Sequence, residues 1–138
     1  MHVRKLIREA IKAQLSGIAG VTLYESRVYP FSQLPAIAIY TESEEIDESS
    51  MTAQSRILTG IIEIRAQASE DVDDELDRLS AEVEQAIAAD QTLSNTCEFV
   101  EYAGMSTDFE AAEQETGLMR MEYAIEYRIN PSNPTTLV

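Results

Sequence analysis

The strongest constraint on the fold is an unbroken alternation of apolar and polar residues near the end of the chain. The apolar positions are Met119, Met121, Tyr123, Ile125, Tyr127 and Ile129. The charged residues between them are Arg120, Glu122, Glu126 and Arg128. Successive side chains of a strand point to opposite faces, so the segment predicts a strand with one apolar and one charged face. Such a strand belongs to a sheet that is covered on one side only, and its charged face is left for water or a partner.

The length and composition predict one folded domain. The chain has 138 residues, of which 44% are hydrophobic and 25% are charged. A chain of this size can bury roughly 70% of its unfolded surface, which is enough for a core. We expect a single domain over residues 1–130. Two prolines, Pro131 and Pro134, disfavour a central strand beyond it, so 131–138 is predicted to be a flexible C-terminal tail.

The charge is strongly negative and excludes several kinds of partner. Ten Lys and Arg residues stand against 25 Asp and Glu residues, for a formal charge of -15. Such a surface repels nucleic acid and anionic membranes, so we expect neither sequence-specific nucleic-acid binding nor a membrane partner. The sequence has no run of 18 apolar residues, and its first 15 residues lack the uninterrupted apolar stretch that is typical of a signal peptide. Cys97 is the single cysteine, which is typical of a reducing cytosol.

Two segments have the spacing of amphipathic helices. Apolar residues recur at steps of three and four from Val3 to Leu15, and Gly17 and Gly20 follow as a stop signal. The second stripe runs over residues 72–87 behind a very acidic first turn, which the helix dipole favours. Ser69 is predicted to cap this helix.

The remaining patterns predict strands and define the fold class. Strands are predicted over residues 21–26, 36–40, 56–68, 97–103 and 119–129, with a turn at 90–95. The order is helix, three strands, helix, two strands. It predicts an α+β two-layer sandwich, with a mainly antiparallel sheet and two helices packed on one face. Ile61, an apolar residue on the otherwise polar face of its strand, indicates that this second face is partly covered.

Two acidic segments interrupt these patterns. Residues 42–55 fit either a mobile loop or the tip of a long hairpin, and we favour the loop because like charges this dense repel one another. Residues 105–117 are predicted to form a second acidic loop. Carboxylates at 42–48 would bind Mg²⁺ weakly at most.

The sequence offers no catalytic arrangement. The only histidine, His2, lies at a terminus, where a general base is seldom held in place. Cys97 has no basic neighbour in the sequence and fits a small buried residue better than a nucleophile. Acidic residues from Asp71 to Glu82 have calcium-loop spacing, but Leu76 stands where that loop needs glycine. We expect no enzyme activity, no cofactor and no specific metal site.

A series of short segments resembles the phage minor tail protein U family, the tail terminators of long-tailed phages. These are LPAIAIY at 34–40, TGIIEIRAQA at 59–68, EDVDDELDRLSAEVEQAI at 70–87, DFEAAEQETG at 108–117 and LMRMEYAIEY at 118–127. The resemblance covers roughly Val3 to Ile129.

The resemblance implies a two-layer subunit that assembles as a hexameric ring. The ring caps the tail tube, stops its polymerisation and provides the surface that joins the head. The implied partners are further copies of the chain, the tail tube protein and a head–tail connector protein, with DNA passing through the ring. Assembly would occur in the host cytoplasm and the product would lie in the virion tail. Two alternatives remain open: a related head–tail neck protein, and an acidic DNA mimic that blocks a nucleic-acid-binding enzyme.

We expect the contact residues in the two acidic segments and on the charged strand face. Ile46, Met51 and Phe109 are the candidate apolar anchors. The full set is Glu44, Glu45, Ile46, Asp47, Glu48, Met51, Asp108, Phe109, Glu110, Arg120, Glu122, Glu126 and Arg128. Because the subunits repel one another, salt or Mg²⁺ is expected to favour assembly.

Overall fold

The computed structural model describes residues 1–27, 33–67, 70–110 and 116–138. In chain order the elements are α1 (Val3–Leu15), β1 (Thr22–Tyr24), β2 (Ala36–Ser49), β3 (Gln54–Gln67), α2 (Val72–Ala88), β4 (Phe99–Glu110), β5 (Thr116–Asn130) and β6 (Asn133–Leu137). The strands form one sheet in the order β1-β2-β3-β5-β4, and β6 pairs with β5. Among the described strands, β1 and β2 pair in parallel and the other pairs are antiparallel.

Both helices pack on one face of the sheet, as the sequence predicts. The core joins the α1 stripe of Val3, Ile7, Ile11 and Leu15 to the α2 stripe and to the apolar face of β5. Gln14 links the helices, because its Nε2 atom donates to the carbonyl oxygens of Ala86 at 2.7 Å, Ile87 at 3.1 Å and Asp90 at 3.0 Å. The first two carbonyls belong to the last turn of α2, where a helix lacks its own donors, and Asp90 follows the helix. The predicted α+β two-layer sandwich is confirmed.

The favoured prediction for residues 42–55, a mobile loop, is wrong, and its alternative, the tip of a long hairpin, is present. Residues 42–49 belong to β2, and they pair with 54–59 of β3 to make a long hairpin. The turn is closed by Ser50, whose N–H donates to the Ala53 carbonyl at 2.8 Å and whose Oγ accepts the Ala53 N–H at 3.1 Å. The prediction failed because it considered only the repulsion between the carboxylates of this segment. The fold brings cations next to the hairpin, and they reduce that repulsion.

The second predicted loop is also wrong over residues 105–110 and 116–117. The former belong to β4 and the latter begin β5, in a second antiparallel pair. Residues 111–115 lie outside the described part of the chain, as does the predicted cap Ser69. The predicted turn at 90–95 is present, with Asp90 accepting the backbone N–H groups of Thr92 at 3.0 Å and Ser94 at 2.9 Å.

The C-terminal segment contains a short strand. β6 pairs with the end of β5, where Ile129 faces Leu137 and Asn130 faces Asn133. Pro134 lies within β6, and the strand is only five residues long. This fits the preference of proline for short or edge strands.

Candidate assembly surfaces

Glu44 connects the hairpin to the first helix. Its Oε2 atom lies 3.0 Å from Nη1 of Arg4 on α1 and 3.4 Å from Nη1 of Arg56 on β3. The Tyr127 hydroxyl of β5 donates to its other oxygen. Burial, followed by the hydrogen bond to Glu44, raises the pKa of Tyr127 to about 12, so this phenol stays protonated and donating. Glu44, predicted as a contact residue, is therefore engaged within its own subunit.

Two irregularities in the hairpin decide which carboxylates face the helices. The pairing of β2 with β3 shifts between Thr41 and Ser43 and again between Ile46 and Glu48. An extra residue in a strand reverses the inward and outward alternation beyond it. Glu44 consequently pairs with Leu58 of the core face, while Glu45 pairs with Ile57 of the other face. The bulge is what directs Glu44 to its two arginines.

The hairpin tip, residues 45–53, carries the remaining candidates of this segment. Glu45, Asp47 and Glu48 are exposed. Ile46 is 63% exposed and Met51 is 94% exposed. Burial of an Ile or Met side chain is worth roughly 1.5–3 kcal/mol, so the tip presents two unused apolar groups among its carboxylates. It has the composition of a contact surface with apolar anchors.

The sheet face without helices is a network of ion pairs. Arg120 pairs with Glu42, which raises the pKa of the guanidinium, and also lies 3.1 Å from Glu122. Glu126 accepts a hydrogen bond from Ser55 at 2.9 Å. Arg128 is exposed and forms no ion pair with any part of the chain that the structure describes. Of the four candidates on β5, only Arg128 thus offers an uncommitted charge.

Part of this second face is buried, which differs from the open charged face expected. Ile61 is fully buried, as its apolar character indicated, and Glu63 and Arg65 are also buried. The Nε atom of Arg65 lies 3.3 Å from Glu63, which also accepts from the Tyr40 hydroxyl at 3.2 Å. A small apolar cluster lies on β1, on β2 and on the segment between them. Its members are Ala36, Ala38, Tyr24, Leu34 and Tyr40.

The far end of β4 holds the last three candidates. Asp108 is exposed, and its Oδ1 accepts the N–H of Phe109 at 2.8 Å. Phe109 is 54% exposed and lies over Gly117 of β5. Glu110 ends the strand opposite Thr116, and its side chain lies outside the described part. Phe109 is therefore available as an apolar anchor.

A groove between α2 and β4 has no counterpart in the sequence analysis. Its volume is about 550 Å³, and its lining includes Glu84, Phe99, Glu101, Tyr102 and Tyr123. The rings of Tyr102 and Tyr123 meet edge to face, with centroids 5.5 Å apart. Burial raises the pKa of Tyr123, and the charge of Glu84 adds to that effect. We refer to this feature as the α2–β4 groove. The one available signal was that strand 97–103 is rich in aromatic residues.

A family model places the chain among known proteins. The model described as phage minor tail protein U matches residues 1–127, which is most of the chain. The chain belongs to the phage minor tail protein U family. The resemblance drawn from the short sequence segments is thereby confirmed, and the chain is a structural protein of a phage tail.

Two further comparisons accompany this match. A chain from the structure titled "Virion of native gene transfer agent (GTA) particle" aligns with a TM-score of 0.45 and 13% sequence identity. The alignment covers 86% of this chain and 92% of that chain. No curated protein matches the sequence.

Within this tail protein, the two residues considered for catalysis have structural roles. His2 caps α1, since its Nδ1 accepts the N–H of Arg4 at 3.1 Å. Cys97 is buried, and desolvation raises the pKa of its thiol to about 12, which keeps it protonated and unreactive. In the described ranges no group of three or more His, Cys, Asp and Glu residues is arranged to hold a metal ion. No described helix is both long and apolar enough to cross a membrane.

Proposed function

We propose that this tail protein is the terminator, six copies of which form a ring on the end of the tail tube. The ring stops further addition of tube subunits and presents the surface to which the head joins. The observation that carries the proposal is the family match over residues 1–127. The protein acts by binding and is not an enzyme. Its partners are its own copies, the tube protein and a head–tail connector.

The exposed groups of the subunit suit repeated protein contacts. The hairpin tip and the end of β4 each place an apolar side chain, Met51 or Phe109, beside exposed carboxylates. An interface typically has an apolar centre surrounded by a polar rim, and both sites have these two components. Arg128 supplies an uncommitted cation on the other face. A heterologous ring needs two different complementary patches on each subunit, and the chain offers more than two.

Charge governs when the ring forms. Six copies, each with a formal charge of -15, would carry a formal charge of -90. Repulsion of this kind keeps free subunits apart at low salt and is screened as the ionic strength rises. Docking on a tube end of complementary charge would have the same effect. An acidic ring would also repel DNA from its wall, so that DNA slides through without adhering.

Sedimentation and imaging test the ring directly. The purified protein is compared at low salt, at about 0.5 M salt and with added Mg²⁺, by analytical ultracentrifugation and negative-stain microscopy. We expect monomers at low salt and six-membered rings with a central hole at high salt. A monomer under every condition, including in the presence of purified tail tubes, would contradict the proposal. Cleavage or turnover of a substrate would do so as well.

The role of the hairpin tip is tested by the double substitution Ile46→Ser and Met51→Ser. Removal of these exposed groups should change the free energy of unfolding by no more than about 0.5 kcal/mol, while ring formation and the yield of infectious particles fall. Val138→Ser is the control, because Val138 is also an exposed apolar residue but lies far along the chain. Equal particle yields from the double variant and the control would exclude the tip from assembly.

The same experiments distinguish the alternatives. A DNA mimic would stay monomeric or dimeric and bind a basic nucleic-acid enzyme with strong salt dependence. A neck protein would form rings that bind the connector but not tube ends. The net charge is consistent with a DNA mimic, but the family match favours a tail protein.

A further inference from the structure

One side of α1 is basic, although the protein as a whole is strongly acidic. The helix holds four of the ten Lys and Arg residues of the chain and one of its 25 Asp and Glu residues. Arg4, Arg8 and Lys12 recur at steps of four and therefore lie along one side of the helix, with Lys5 beside them. We call these four residues the basic flank.

The basic flank faces away from α2 and has unpaired charges. Arg4 lies 3.0 Å from Glu44 of β2, and Lys12 lies 3.9 Å from Glu25, which follows β1. Both contacts place the flank on the side of β1 and β2. The other two members form no ion pair with a described carboxylate. The flank therefore presents two uncommitted cations at one edge of the subunit.

The side of α2 that faces away from α1 is acidic. Asp73, Asp77 and Glu84 follow the helical repeat along this side, and we call them the acidic flank. All three are exposed and form no ion pair with a described Lys or Arg. Glu84 lines the groove beside β4, whereas Glu82 lines a different groove together with Gln14 of α1. The acidic flank consequently lies on the β4 side of the helix layer.

Apolar side chains of β4 lie uncovered beside the acidic flank. Tyr102, Met105 and Phe109 are 42%, 52% and 54% exposed. Their register partners on β5 belong to the face that the helices cover, so these three side chains project on the same face as α2. Exposed apolar groups beside a row of charges are typical of a protein contact surface.

The two flanks lie at opposite edges of the subunit and cannot meet within it. Gln14 joins the inner sides of the helices, and β1 and β4 are the two ends of the main strand order. Two copies placed side by side bring the basic flank of one to the acidic flank of the next. Like flanks repel each other, so the contact repeats head to tail instead of forming a symmetric pair.

The flanks also match in length and in surface chemistry. From Arg4 to Lys12 the helix rises about 12 Å, and from Asp73 to Glu84 it rises about 16 Å. Arginine and lysine stems pack on apolar surface while their charged ends pair with carboxylates. A guanidinium also stacks on an aromatic ring, and Tyr102 offers one next to the acidic flank.

We propose that the basic flank of one copy docks on the acidic flank and the exposed β4 side chains of the next copy. Charge complementarity decides which edges meet, and the apolar contacts hold the copies together when salt screens their net repulsion. The closure of this contact into a ring rests on the proposed function. The contact itself does not, since it joins any two copies.

Charge-swap variants of the full-length protein test the contact. The first variant carries Lys5→Glu and Arg8→Glu, and the second carries Asp77→Lys and Glu84→Lys. At about 0.5 M salt, each alone should need at least about tenfold more protein than wild type to associate, which corresponds to about 1.4 kcal/mol. An equal mixture should restore association, because alternating copies then join opposite charges at every contact. Analytical ultracentrifugation and negative-stain microscopy measure complexes of any size.

A matched control separates the contact from the effect of net charge. The second variant changes the formal charge from -15 to -11, so general repulsion alone predicts easier association, whereas the contact predicts its loss. The control, Glu9→Lys with Asp74→Lys, has the same net charge and alters exposed residues of the same helices off the two flanks. It should associate at least as readily as wild type. Circular dichroism confirms that every variant is folded.

Several results would overturn the proposal. These are equal association of wild type and both variants, a mixture no better than its components, or a wild-type monomer under every condition. Intact self-association of the first variant with loss of binding to purified tail tubes would assign the basic flank to the tube protein instead.

The contact and the terminator ring fail separately. Open head-to-tail chains that the charge swaps abolish would support the contact and contradict a six-membered ring. Six-membered rings that the swaps leave unchanged would support the ring and overturn the contact.

Discussion

The two acidic strands β2 and β4 look alike in sequence but differ in what their carboxylates meet. On β2, Glu44 contacts Arg4 and Arg56, and Glu42 pairs with Arg120. On β4, neither Glu101 nor Asp108 forms an ion pair with a described Lys or Arg. The carboxylates of the inner part of β2 stabilise the subunit, whereas those of β4 remain available to partners.

A run of acidic residues therefore has no single structural role. Coulomb energies depend on distance and on the local dielectric, so the same carboxylate stabilises the fold beside partly buried arginines and is a repulsive group in water. The far end of β4 is held by packing instead, with Phe109 over Gly117 and Val72 beneath it. Four predictions test this contrast, and the largest expected effect comes first.

Glu44→Ala should give the largest loss, about 2–4 kcal/mol in the free energy of unfolding. It leaves Arg56 and the Tyr127 hydroxyl without their shared partner in a largely buried place. Urea unfolding measures the change. The control is Glu45→Ala, which removes an exposed neighbouring carboxylate and should cost no more than about 0.5 kcal/mol. Similar losses of unfolding free energy in the two variants would mean that the contacts of Glu44 do not stabilise the fold.

Gly117→Ala should cost about 1–3 kcal/mol through overpacking. A Cβ atom at this position would lie 2.6 Å from Cγ2 of Val72 and 3.4 Å from Cδ1 of Leu76. The matched change Gly17→Ala places a methyl group where nothing lies within 4 Å and should be close to neutral. Thermal unfolding of the two variants checks whether packing alone holds the end of β4. A Gly117→Ala variant with unchanged stability would show that α2 moves to make room for the added methyl group.

Arg120→Met should cost less, about 0.5–1 kcal/mol, because its partners Glu42 and Glu122 are both more than 40% exposed. Methionine keeps much of the apolar stem. The loss should shrink further in high salt, unlike the loss at Glu44, since exposed pairs are screened and buried ones much less so. Urea unfolding at two salt concentrations measures both. If the loss of unfolding free energy at Arg120 did not depend on salt, its ion pairs would behave as buried pairs do.

The smallest effect is a pH dependence from His2. Burial, then the charge of Arg4, lowers the pKa of His2 below its usual 6.5, with Arg56 and Arg8 acting in the same direction and Glu44 opposing them. The unfolded chain therefore takes up a proton first as the pH falls. The contribution of His2 to stability is complete above about pH 6.5 and declines below it, towards the lowered pKa.

Unfolding free energies at about pH 7.5 and about pH 5.5 measure this decline, since His2 is the only histidine. His2→Asn is the control, because asparagine also caps a helix but does not titrate. An identical decline in the control would assign the pH dependence to other groups.

Much of the fold was predictable because its elements have strong periodicity. The α1 stripe, the acidic start of α2 and the alternation on β5 each bury one face in a core, and a core of this kind leaves a clear pattern. The first long hairpin was only the less favoured alternative for residues 42–55, and the second was missed. Their outer halves bury little, so their sequences show polar and acidic composition instead of alternation, and the bulges near Glu42 and Asp47 disrupt what alternation exists.

The assembly surfaces were predictable only in part. The exposed side chains of Ile46, Met51 and Phe109 lie where the sequence suggested contact residues, although on strands and a tight turn. Their contact role stays a prediction. The α2–β4 groove could not be found, since Glu84 and Tyr123 come together only when α2 and β5 pack.

The sequence by itself determined the family, the strong negative charge, the two amphipathic helices and the one-sided strand at 119–129. Each of these is a local property, visible in composition or in a repeat of two or 3.6 residues. Which carboxylates are neutralised, and which phenol lacks a partner among the described residues, depends on the tertiary structure. Those depend on groups such as Arg4 and Glu44, 40 residues apart in sequence and 3.0 Å apart in space. No local pattern encodes that distance.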